Sequence, residues 1–79
     1  MEDIKEKVLE ILGDLHPEID DFDSIKGLAT DKVLNSLDIV TLIGELSDAF
    51  DIEIPPSEIT YENFDTVDGL VKMVEKLSD

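Results

Sequence analysis

Apolar residues recur at helical spacing three times in these 79 residues, and a single short stretch alternates like a strand. No other feature constrains the fold as tightly, because each stripe needs another helix to cover it. Between about Asp3 and Leu15, the residues Ile4, Val8, Ile11, Leu12 and Leu15 fall on one side at roughly 100° per residue. Glu6, Lys7, Glu10 and Asp14 fall opposite, and Leu9 lies off the stripe where a loop can close on it. His16-Pro17 ends this helix, since the residue before proline is pushed out of the helical region. A second helix is predicted from Ser36 to Phe50, with Ile39, Leu42, Ile43, Leu46, Ala49 and Phe50 inward and Asp38, Thr41, Glu45 and Asp48 outward. Thr66 can cap a third, in which Val67, Leu70, Val71, Val74 and Leu77 make the stripe. Asp68 near its start and Lys72 and Lys76 toward its end suit the helix dipole.

The segments between these helices are read from their apolar punctuation. Residues 16–34 carry Ile19, Phe22, Ile25, Leu28, Val33 and Leu34, so a long ordered connection that packs across the bundle is expected. Two antiparallel helices do not need so much chain, which predicts a crossover between helices running the same way. Asp51-Ile52-Glu53-Ile54-Pro55-Pro56 alternates, but no second strand is present to pair with it, so an extended loop is expected. Ile59 to Phe64 then makes one short helical turn that drops Ile59 and Phe64 into the core. The predicted fold is all-α: one domain over residues 1–79, a small four-helix bundle with three main helices, one short helix and a long loop between the first two. A chain this short buries only about 60–65% of its unfolded surface, and without Cys it has neither disulfides nor thiolate metal ligands to support a thin core.

Twenty-one acidic residues against six lysines and no arginine give a net charge of −15. Such a field repels nucleic acid and anionic membranes and favours basic protein partners. No apolar run approaches the ~20 residues of a membrane span, and Met1-Glu2-Asp3-Ile4-Lys5-Glu6 lacks the basic start and apolar centre of a signal peptide. A cytoplasmic monomer is expected, with no membrane insertion. Catalysis is not. No pair of carboxylates reads as held in a dry pocket, there is no Gly-rich phosphate loop, and His16 is the sole imidazole, with no third group to orient it toward Ser36. Asp21-Phe22-Asp23-Ser24-Ile25-Lys26-Gly27 puts Ile25 and Lys26 where a calcium loop needs an oxygen ligand and then glycine, so no metal site is read there. Weak, non-specific divalent binding by the acidic loop stays open, with calorimetric titration as its test.

The stretch Leu34-Asn35-Ser36-Leu37-Asp38-Ile39-Val40 opens the second helix. Asn35 as N-cap can accept a backbone N–H, Asp38 at the third helical position can answer as in a capping box, and Leu34 can staple onto Ile39. Ser36 is left at the first helical position, facing solvent. A phosphate ester there would meet unpaired N–H groups and the positive end of the helix dipole. A plain cap without chemistry is the commoner meaning of such a helix start, but Leu37 points away from the core among acidic residues, as a partner contact would. Gly44, on the same outer side, either permits a close approach or is simply tolerated.

Asn35-Ser36-Leu37-Asp38-Ile39-Val40, followed by Leu42-Ile43-Gly44-Glu45-Leu46, Phe50-Asp51-Ile52-Glu53-Ile54-Pro55 and Glu62-Asn63-Phe64-Asp65-Thr66-Val67, closely resembles the acyl carrier proteins over essentially the whole chain. The resemblance implies that Ser36 receives 4′-phosphopantetheine from coenzyme A through a phosphopantetheinyl transferase. The arm's thiol would carry an acyl or aminoacyl group as a thioester, which agrees with a chain that has no sulfhydryl of its own. It also implies that Asn35, Leu37, Asp38, Val40, Thr41, Glu45 and Asp48 meet basic patches on loading and using enzymes, in fatty-acid, polyketide or nonribosomal biosynthesis. Asn35 stands where the family usually has Asp, Lys32 where many relatives have Gly, and Thr41 and Ser47 where fatty-acid carriers have acidic residues. The approach to the serine and the Ser57-Glu58-Ile59-Thr60 segment look more like stand-alone carriers associated with adenylating ligases. The alternative is a carrier-like bundle that is never modified and serves as an interaction or regulatory subunit, for which Ser36→Ala would leave function intact.

Overall fold

Four α-helices form where the apolar periodicity places them, in a computed structural model that describes residues 2–78. They are α1 (Glu2–Leu15), α2 (Ser36–Phe50), α3 (Tyr61–Phe64) and α4 (Val67–Ser78), with single 3-10 turns at Phe22–Ser24 and Pro56–Glu58. No strand occurs among the described residues; residues 52–55 form a loop, with the Ile52 N–H bonded back to Ser47 O at the end of α2. α1 stops at Leu15, before His16-Pro17. The Thr66 hydroxyl accepts from the Gly69 N–H at 2.9 Å and so caps α4 as expected. No helix of the described residues is long and apolar enough to cross a membrane.

The core joins Val8, Ile11 and Leu12 of α1, Leu42 and Leu46 of α2, Phe64 of α3, and Val67, Leu70, Met73 and Val74 of α4. The long connection adds Phe22, Leu28, Ala29 and Leu34. Two residues expected inside are outside. Ala49 is exposed and borders a shallow groove with Lys7 and Glu10 of α1, because Leu42 and Leu46 already fill the space beneath α2. Ile59 is 41% exposed, because the chain turns inward only after Thr60 caps α3, leaving Phe64 alone to enter the core. Met73, one step round from the α4 stripe, takes its place among the buried residues.

The expected crossover is also wrong. α1 and α2 run antiparallel: His16, just past the end of α1, meets Asp38 in the first turn of α2 at 2.7 Å. Leu15 shares a groove with Thr41, and Lys7 shares one with Asp48 and Ala49. The connection uses its length by running out and back. It reaches the start of α1, where Lys5 pairs with Asp23 at 3.4 Å, and returns to α2 beside the end of α1. Its apolar residues wall the bundle, and that burial, rather than the distance to be spanned, accounts for its length.

Candidate functional site

The start of α2 and the turn before it are held by bonds local in sequence and by others that are not. Locally, the Asn35 side chain accepts from the Asp38 N–H at 2.8 Å, and Asp38 Oδ2 accepts from the Asn35 N–H at 3.3 Å, completing the capping box. Before it, the Lys32 N–H donates to Ala29 O and the Leu34 N–H to Leu28 O, closing a tight turn. Lys32 takes φ 62 there, the left-handed region. The lysine accepts a backbone that glycine would adopt without strain, at a cost of roughly 1–2 kcal/mol. From a distance, Asp65 at the α3–α4 junction accepts from the Ala29 N–H at 3.0 Å, the Thr30 N–H at 2.7 Å and the Thr30 hydroxyl at 2.7 Å, while its carbonyl accepts from the Leu28 N–H at 2.8 Å. The Thr30 hydroxyl first, then the two N–H groups, hold the Asp65 carboxyl below its usual range.

On this frame Ser36 sits at the first position of α2, exposed, and its hydroxyl has no hydrogen-bond partner among the described residues. Leu37 is 73% and Val40 64% exposed, unusual values for such residues, and Thr41, Glu45 and Asp48 continue the same outward face. Gly44 lies on it too, with nothing within 4 Å of where a side chain would start, so it mediates no close approach within the chain. Asp38 departs from the expectation of an outward acidic residue. It is half-buried and engaged with His16 and the Asn35 N–H, so its charge is not free on the surface. Beside Ser36 a recess of about 310 Å³ is lined by Ala29, Lys32, Leu34, Asn35, Ile39 and Tyr61. A neighbouring one of about 480 Å³ shares Ala29, Ile39 and Tyr61 with it and adds Ile59, Thr60 and Phe64.

Chemically the site offers a hydroxyl and no base to activate it. His16 makes no bond to Ser36; its Nδ1 is 2.9 Å from Glu18 Oε2 and its Nε2 2.7 Å from Asp38 Oδ2. A serine nucleophile needs a base within hydrogen-bond reach, and here both ring nitrogens are committed elsewhere. What remains is an accessible acceptor for a group delivered by another protein, at the dipole-positive end of a helix, with a lysine in the adjoining recess. An ester on Oγ displaces no existing bond, so a phosphate-linked arm fits these residues. Sequence reasoning missed Lys32 and Tyr61 as recess-lining residues, the Asp65–Thr30 clamp and the His16–Asp38 pair. Nothing in the residues themselves marks these contacts; the His16–Asp38 and Thr30–Asp65 pairs join positions 22 and 35 apart.

The family model described as phosphopantetheine attachment site matches residues 2–74. The chain is 36% identical over 75 residues to a D-alanyl carrier protein of Streptococcus sanguinis, covering 95% of each. It is 32% identical over 77 residues to that of Lactobacillus acidophilus, covering 98% of each. With the D-alanyl carrier protein of Lactococcus lactis subsp. cremoris it shares 32% over 78 residues, covering 96% of this chain and 98% of the relative. No solved structure matches at a significant level.

Proposed function

The chain belongs to the phosphopantetheine-attachment family of carrier proteins, and we propose that Ser36 bears its 4′-phosphopantetheine and that the cargo is an aminoacyl group, D-alanyl first among candidates. The observation that carries the assignment is the exposed, unpartnered Ser36 hydroxyl at the start of a helix whose cap is already filled by Asn35. When attached, the group supplies a terminal thiol on which cargo is held as a thioester. The chain's own part is to present the hydroxyl, favour the phosphodiester's charge through the first N–H groups of α2, and hold Lys32 on the wall of the recess beside it. Leu37 and Val40 offer apolar contact to a partner, while Thr41, Glu45 and Asp48, in a field of −15, suit basic docking patches and fast, reversible association.

The protein acts as a non-catalytic carrier in the cytoplasm, modified by a phosphopantetheinyl transferase and loaded by a ligase of the adenylating type. The D-alanyl assignment draws on the names of the relatives; the fatty-acid and polyketide settings have no such support. Intact mass after incubation with coenzyme A and a transferase tests the attachment. The expected result is a gain of one phosphopantetheine in the wild type and none in Ser36→Ala. An unchanged wild-type mass beside a modified control carrier, or a modified Ser36→Ala variant, overturns it. Loading the modified protein in the presence of ATP with D-alanine, L-alanine or a fatty acid, each with its own ligase, then tests the cargo.

A further inference from the structure

Carrier chemistry gives His16 nothing to do, yet its ring is hydrogen-bonded at both nitrogens, one of them to the first turn of α2. The side chain is only 20% exposed, and each ring nitrogen faces a carboxylate oxygen, Glu18 at 2.9 Å and Asp38 at 2.7 Å. Ionised carboxylates only accept, and a neutral imidazole has a single N–H to donate, so both contacts are satisfied together only when both nitrogens carry protons. The ring also hangs from the end of α1, where the His16 N–H closes the last turn onto Leu12 O and the free carbonyls favour a cation. Glu18 from the connection and Asp38 from α2 are the charged groups that face it. Among the described residues no lysine pairs with either carboxylate. Asp38 Oδ2 is at the same time the oxygen that accepts the Asn35 N–H in the capping box, two residues from the attachment hydroxyl.

We infer that His16 is a positioning residue for the modification of Ser36: as an imidazolium it clips the first turn of α2 to the end of α1 through Asp38, and so sets the pose in which the hydroxyl meets the transferase. The inference rests on the carrier reading above. It makes the clip dependent on pH, with a definite sign. Hydrogen bonds to Glu18, then Asp38, raise the imidazole above its ordinary value. The clip is therefore at full strength below the ordinary histidine pKa of about 6.5 and weakens as pH rises through the higher folded value, where a neutral ring has lost its charge and can serve one carboxylate only.

Because the chain has one histidine, its ring protons can be followed by NMR without ambiguity. The wild-type midpoint should lie above about 6.5 and fall toward it in Asp38→Asn, which retains an acceptor at the cap but not the charge. In transferase kinetics at about pH 5 to 8, His16→Gln should raise KM for the apo protein about threefold at the acidic end, the size expected for a partly exposed ion pair. The ratio to wild type should fall toward one above the folded midpoint, with kcat unchanged throughout. Taking that ratio cancels the transferase's own titration. A midpoint that Asp38→Asn leaves unmoved, or a KM ratio that is one or constant across pH while wild type is modified normally, overturns the role of His16 alone. A wild type that no transferase modifies overturns the carrier reading and the role of His16 with it.

Discussion

Two glycines in helices, Gly44 and Gly69, should respond to the same substitution with opposite signs. Gly44 is in the middle of α2, facing solvent, and a Cβ there has nothing within 4 Å. Gly44→Ala should gain the helix-propensity difference of about 0.8–1 kcal/mol. In a domain of this size that raises Tm by roughly 4–8 °C. Gly69 is the third residue of α4, and a Cβ there would stand 2.8 Å from Glu62 O and 2.9 Å from Asn63 O. Both oxygens belong to the backbone of α3, so no side chain can swing aside. α3 is itself short of freedom: Thr60 caps it on one side and the Asp65 clamp holds it on the other. Overpacking of this kind costs about 1–3 kcal/mol, against a propensity gain of at most ~1 kcal/mol. Gly69→Ala should lose up to about 2 kcal/mol net, lowering Tm by up to roughly 10 °C. Thermal melts of the two single variants by circular dichroism decide the matter. If Gly69→Ala is stabilised as much as Gly44→Ala, the close approach of α3 and α4 is not what that glycine serves.

Ser36→Ala removes an exposed hydroxyl without a partner, so urea denaturation should place its stability within about 0.5 kcal/mol of wild type while mass spectrometry finds no phosphopantetheine. Asn35→Ala deletes the cap of α2 and should cost about 1 kcal/mol in the same assay. Leu46→Ala empties a fully buried position and should cost about 2–5 kcal/mol, enough to unfold much of so small a domain at 37 °C. Asp65→Asn should weaken the clamp near neutral pH and flatten the acid limb. The depressed Asp65 pKa contributes stability that is present above the ordinary carboxyl value of about 3.9 and is lost as pH falls through the folded value. Urea midpoints at about pH 7 and pH 3 should therefore converge for variant and wild type on acidification, and parallel loss in both would refute the clamp.

What could be read from residues alone is what neighbours three or four apart determine. The spans of α1, α2 and α4, the Asn35–Asp38 capping box, the Thr66 cap and the outward Leu37 all follow from helical periodicity and short-range hydrogen bonds. Ser36 stood out for the same reason: its exposure depends on its own helix. Tertiary structure decided the rest, because direction and contact depend on which distant surfaces the core draws together. It set α1 against α2 antiparallel, folded the connection out and back, and left Ile59 and Ala49 outside. It also turned Asp38 from a surface charge into the partner of a histidine 22 residues away and tied Thr30 to Asp65 across 35. Gly44 and Gly69 carry the distinction most plainly: identical residues within helices, one facing open solvent, the other pressed against a carbonyl that only the packing of α3 on α4 brings there.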